Sequence, residues 1–180
     1  MGVTTALLTV EQYMELPEEE TMRTELVEGE IVRMGDAGYL HERTKANAIK
    51  LLGHYIFDNP IGVVFSESMY RLGKNEGRIP DVSLVLEQRL PPQNPSKPLE
   101  GAPELAFEVV SSETAAFIER KINLYLATGC RAVWIAYPLE RTIWIHRAGG
   151  SLHLREGQFV EEPDLLPGFR VPVERFFDGI

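Results

Sequence analysis

The chain has 180 residues, 44% of them hydrophobic and 25% charged, which fits one ordinary globular domain able to bury a substantial core. No run approaches the roughly 18 apolar residues that a membrane helix needs, so a helical membrane span is excluded. The net charge of −9 argues against a protein that coats long nucleic acid, because phosphate neutralisation supplies most of that affinity.

The single Cys130 excludes an internal disulfide and fits a reducing compartment. Met1-Gly2-Val3-Thr4-Thr5 lacks the basic start and apolar core of a secretory signal, and Ala6 stands where a myristoylation motif has Ser or Thr. The expectation is a cytoplasmic protein, with residues 1–180 forming a single domain.

In chain order, Thr9-Val10-Glu11-Gln12 reads as a capping box opening a short helix that Pro17 closes. Glu18 to Glu20 is an acidic loop. Thr24 to Val32 reads as two short strands joined at Glu28-Gly29, where glycine supplies a positive φ. Gly35 to Gly38 is a loop. From Tyr39 to Phe57 the spacing predicts a helix with Ala46, Ile49, Leu52 and Ile56 on its buried stripe and Lys45 and Lys50 outside it. Strands follow at Val63-Val64-Phe65, Met69-Tyr70 and Asp81 to Leu86. The proline-rich stretch from Arg89 to Pro103 is either a flap over a site or an extended surface loop. Leu105 to Val110 is a strongly apolar strand, and Thr114 to Thr128 a helix ended by Gly129. Ala132 to Tyr137, Thr142 to His146, Leu152 to Arg155 and Phe159-Val160 are further strands, which places Trp134 and Trp144 in the core. The tail from Leu165 to Phe177, broken by Pro167 and Pro172, reads as irregular chain or a short helix.

The chemistry gathers on Pro80-Asp81, Phe107-Glu108-Val109-Val110-Ser111 and Lys121. Side chains alternate along a strand, and Leu105 to Val110 is apolar on both faces, so Glu108 belongs to a central, buried strand. A carboxylate there is either half of a structural ion pair or a metal ligand. Asp81 alone is also good turn chemistry. At about 100° per residue, Phe117, Ile118, Leu124 and Tyr125 bracket Lys121 within one apolar arc. That lysine either snorkels to water or folds back over the strand to meet Glu108. Two carboxylates around a divalent cation with a lysine beside them suit phosphodiester hydrolysis: the ion lowers the pKa of a water and clamps phosphate oxygens. The lysine orients that water or neutralises developing charge.

Glu25-Leu26-Val27-Glu28-Gly29-Glu30, His41 before a helix, Ile79-Pro80-Asp81-Val82, Phe107 to Ser111, then Lys121, Tyr125, Gly129 and Trp134 together resemble the Uma2 family. These are restriction endonuclease-like proteins of the PD-(D/E)XK nuclease superfamily, and the resemblance covers Thr9 to Trp144. It implies an α/β core with a mixed, mainly four-stranded central sheet flanked by helices and carrying extra β-hairpins. It implies that Asp81, Glu108 and the Val109 carbonyl ligate Mg²⁺ or Mn²⁺. The superfamily lysine two positions after the Glu is replaced here by Val110, and Lys121 on the following helix matches the Uma2-like alternative. Glu25 matches a family position too, as an aid to ion or water or as a strand-edge acid beside a turn. His41 also matches, and a histidine starting a helix most simply acts as a cap.

The expected function is metal-dependent hydrolysis of DNA by Asp81, Glu108, Lys121 and Glu25, in a homodimer because duplex cleavage needs two active sites or two visits. The competing readings are a non-catalytic binding or dimerisation module on the same scaffold, and a hydrolase of a small phosphorylated molecule.

Overall fold

In the computed structural model, which describes residues 7–35, 37–91 and 98–180, the chain opens with the capping box that the sequence predicts. Thr9 Oγ1 accepts from the Gln12 N–H and the Gln12 side chain accepts from the Thr9 N–H, starting α1 (Val10–Met14). The acidic run after Pro17 is a helical turn rather than a loop, α2 (Glu18–Thr21); its three acids sit at the end where the peptide dipoles favour negative charge. β1 (Thr24–Val27) and β2 (Glu30–Arg33) form a hairpin. Its loop residues Glu28 and Gly29 have φ of +51° and +83°, the turn whose twist matches paired strands. A Cβ on Gly29 would also lie 2.7 Å from Leu7 Cβ.

The chain continues through α3 (Tyr39–Asp58), β3 (Gly62–Ser66), β4 (Tyr70–Gly73), β5 (Glu76–Arg78) and β6 (Val82–Leu86). β7 (Leu99–Glu100), β8 (Leu105–Val109), α4 (Ala115–Ala127), β9 (Ala132–Tyr137), β10 (Thr142–Arg147) and β11 (Gly150–Leu154) follow. β12 (Phe159–Glu162), β13 (Leu166–Pro172) and a 3₁₀ turn at Val173–Phe177 complete it. Of the proline-rich stretch, residues 92–97, where the flap reading falls, lie outside the described residues. The flanking Leu99–Glu100 pairs parallel to β4.

The central sheet has six strands, in the order β11-β10-β9-β8-β6-β3. β8 and β9 run parallel, with α4 as their crossover, and every other neighbouring pair is antiparallel. It is the mixed, helix-flanked sheet that the resemblance implies, with six strands in place of four. Strand alternation decides what each face buries. Leu105, Phe107 and Val109 pack with Trp134 against Ala48 and Leu52 of α3 and against Phe176 and Phe177. Ala106, Val133 and Ile135 pack against Ile118, Ile122 and Tyr125 of α4. A second sheet, β2-β1-β5-β4-β7, carries a smaller core of Leu26, Val10 and Tyr13.

Three sequence expectations need correction. The buried face of α3 holds Thr44, Lys45, Asn47, Ala48 and Leu52, while Ala46 is exposed, so Lys45 lies inside the face it was expected to avoid. Only the C-terminal half of that face meets the apolar core; the N-terminal half meets polar partners. The tail forms β13, because its prolines fall near the two ends of a strand in a two-stranded sheet and remove little pairing. Trp144 is half-buried: it stacks on His153, with centroids 4.4 Å apart, and packs at the edge of the α4-side core, whereas Trp134 lies in the core of the other face.

Candidate active site

β8 turns Glu108 to the α4 side of the sheet. Thr114 caps α4 by accepting from the Phe117 N–H, and the helix then runs back over that strand, so Lys121 and Tyr125, one turn apart, both point down at Glu108. Lys121 Nζ donates to Glu108 Oε2 at 3.0 Å and the Tyr125 hydroxyl to Glu108 Oε1 at 2.9 Å. From the second sheet, β1 brings Glu25, whose Oε1 lies 3.3 Å from Lys121 Nζ and accepts from the Ile79 N–H at 2.8 Å. Asp81, just before β6, accepts the Val109 N–H on Oδ2 at 2.8 Å. Its Oδ1 is 3.3 Å from His41 Nε2 on the first turn of α3. Thus two sheets and two helices each supply a piece. Glu25, Asp81, Glu108 and Lys121 are 2%, 4%, 6% and 7% exposed.

Burial disfavours the charged form of every member, and the neighbours decide the outcome. Desolvation pushes the Glu108 carboxyl above the ordinary carboxylate range; Lys121 pulls it down, but Asp81 and Glu25 add to the rise. Burial alone would lower the Lys121 ammonium, yet Glu108, Glu25 and Asp81 hold it above the ordinary lysine value. Desolvation and then Glu108 raise the Tyr125 hydroxyl well above the usual tyrosine range, so Tyr125 stays a donor. Burial would also lower His41, but the Asp81 hydrogen bond and charge raise it. The cluster sets three buried acids around the Lys121 ammonium, with Arg78 3.6 Å from Glu25 and His41 3.3 Å from Asp81.

These groups floor a cleft of about 730 Å³. Glu25, Asp81, Glu108 and Lys121 all line it, with His41, Lys45, Arg33, Phe117 and Arg120 on its walls. Lys45 reaches Glu42 and Glu67, both at 2.8 Å.

A family model for Uma2, described as "Putative restriction endonuclease", matches residues 10–174. The chain belongs to the Uma2 family. It is 29% identical over 115 residues to the uncharacterized protein sll1609 of Synechocystis sp. (strain ATCC 27184 / PCC 6803 / Kazusa). That match covers 63% of this chain and 64% of the relative, so it spans less than two thirds of the relative's length. The fold is that of a solved structure from Anabaena variabilis ATCC 29413 titled a "putative nuclease belonging to DUF820". The TM-score is 0.82 at 20% identity, over 94% of this chain and 97% of that one.

The Uma2 residues singled out in the sequence, Glu25, Asp81, Glu108 and Lys121, come together in one cleft, and Val109 enters through its N–H on Asp81. His41 is not the cap of α3, whose N-cap is Gly38; it flanks Asp81 instead. Roles for Tyr125, Lys45 and Arg78 were missed. Tyr125 carried a signal, standing four residues after Lys121 on the same helix face. Arg78, 3.6 Å from Glu25 Oε2, carried none.

Among the described residues, no group of three or more His, Cys, Asp or Glu side chains is gathered tightly enough to hold an ion unaided. Mg²⁺ keeps several waters and is commonly held by one or two carboxylates. Asp81 and Glu108, oxygen donors lining one cleft with more acid than cation around them, have the chemistry for that kind of site.

Proposed function

We propose that this Uma2 chain is a Mg²⁺- or Mn²⁺-dependent endonuclease hydrolysing DNA phosphodiester bonds. The observation that carries the reading is one buried ammonium, Lys121, shared by Glu25 and Glu108 on the floor of a cleft that Asp81 also lines. Asp81, Glu108 and the Val109 carbonyl would hold the ion, which when bound supplies Lewis acidity and a water of lowered pKa. Lys121, fixed by two carboxylates, orients the attacking water and stands as a cation where phosphate charge develops. Glu25 is the second carboxylate that holds Lys121. Tyr125 fixes the Glu108 rotamer, and His41 steadies Asp81. Cutting both strands of a duplex would use two copies of the chain, each with its own site.

The test is cleavage of supercoiled and single-stranded circular DNA at low salt with Mn²⁺ or Mg²⁺. Cleavage by wild type, abolished by chelation and by Glu108→Gln, is expected; intact DNA in every form overturns the reading. A second reading, a non-catalytic binding module, is favoured by one observation: both Glu108 oxygens are already hydrogen-bonded, to Lys121 and Tyr125. In that case no divalent ion raises the melting temperature.

A further inference from the structure

A smaller hollow of about 200 Å³ adjoins the cleft, and Phe117, Arg120 and Lys121 line both. Its walls are apolar where Val27, Phe117 and Leu124 meet, while Glu28, Glu76 and Asn123 bring polar groups to it. Arg120 lies over the Phe117 ring, 6.0 Å from its centroid, and among the described residues no carboxylate pairs with it. Arg78 lines the hollow too, with its guanidinium held by Glu76 at 3.0 Å and lying 3.6 Å from Glu25, while its buried Nε has no hydrogen-bond acceptor among the described residues.

We infer that this hollow is a nucleobase subsite, so the strand enters the cleft with an unpaired base next to the reacting phosphate; the inference rests on the nuclease reading of the neighbouring site. A phosphate held beside Lys121 places the attached base in the adjoining space. Phe117 offers it an aromatic face. Arg120 is left to meet the next phosphate. At about 200 Å³ the hollow is less than a third the size of the main cleft, a space on the scale of a single base. The charge of the chain points the same way. At −9 it is poorly built to hold duplex through many phosphate contacts, whereas stacking gives affinity that does not depend on net charge.

The experiment measures binding of a short fluorescent oligodeoxynucleotide with Ca²⁺ replacing Mg²⁺, so that binding is read apart from turnover. Three probes are compared: the single strand, its blunt duplex, and a strand of the same length with abasic sites. The single strand should bind about tenfold or more tightly than either of the others. Phe117→Ala and Phe117→Leu should each lose about tenfold for the single strand only. Phe117→Trp should recover it, with melting temperatures confirming that every variant is folded. Equal affinity for duplex or abasic strand, an unaffected Phe117→Leu, or no binding of any probe overturns the subsite. DNA cleavage by wild type with Phe117 silent leaves the nuclease standing without this subsite. A Phe117-dependent single-strand preference without cleavage leaves the subsite and removes the nuclease.

Discussion

Two buried glutamates on this fold have opposite surroundings. Glu162, 3% exposed, accepts from Arg147 Nε at 2.8 Å and Nη2 at 2.9 Å and from Trp134 Nε1 at 3.3 Å. One acid meets one planar cation, away from the cleft, and its oxygens are satisfied. Glu108 is as deeply buried but shares Lys121 with Glu25, has Asp81 beside it, and opens on the cleft. Burial of charge alone therefore does not mark function. Several buried acids that share their cations and face open space do, because such a cluster holds perturbed charges where a ligand can reach them.

Breaking each cluster in turn sharpens the contrast. The largest effect is expected at the cleft: Asp81→Asn or Glu108→Gln should lower metal-dependent DNA cleavage by about 100-fold or more, read in a nicking assay. Glu162→Gln should leave cleavage unchanged. Next comes Lys121→Met, which strands the acids without their ammonium and should cost roughly 3–5 kcal/mol in chemical denaturation. In this variant the rise in melting temperature with Mn²⁺ should exceed that of wild type, since the ion then meets more uncompensated charge. A smaller rise would mean that Lys121 helps to build the ion site. Glu162→Gln should cost roughly 2 kcal/mol, below the range for a fully buried pair because Arg147 keeps a third of its side chain in water.

The smallest effect concerns Cys130, which neither cluster uses. Burial pushes its thiol up to about 12, so the folded chain holds the proton more tightly than the unfolded chain does. Its contribution to stability is whole below the ordinary thiol value and is lost as pH rises through about 12. Alkylation at pH 8 should be negligible in the native protein and complete in denaturant; ready native labelling would contradict the burial.

Much of this was readable from residue order because it rests on local periodicity. Alternation along Leu105–Val109 put Glu108 on the face opposite Phe107, and the helical arc around Lys121 aimed that lysine at the same face; both placements match the structure. Glu25 was legible only through the family resemblance, since nothing local tells a strand acid that its sheet will stand over a distant lysine. Lys45 was placed on the wrong side of α3 because the stripe was sought as apolar along the whole helix. The N-terminal half of that helix brings His41, Glu42 and Lys45 to the cleft, while Thr44 and Asn47 are buried against the carbonyls of Leu40 and Phe176. The second hollow was invisible for a related reason: Val27, Arg78 and Phe117 meet only when the second sheet packs beside α4.

The most direct measurement is calorimetric titration of Mg²⁺ and Mn²⁺ into the wild-type chain and into Asp81→Asn at matched melting temperature. Saturable binding by wild type that disappears in Asp81→Asn is the expected result. No heat of binding and no thermal shift in the wild type would contradict an ion held by Asp81 and Glu108.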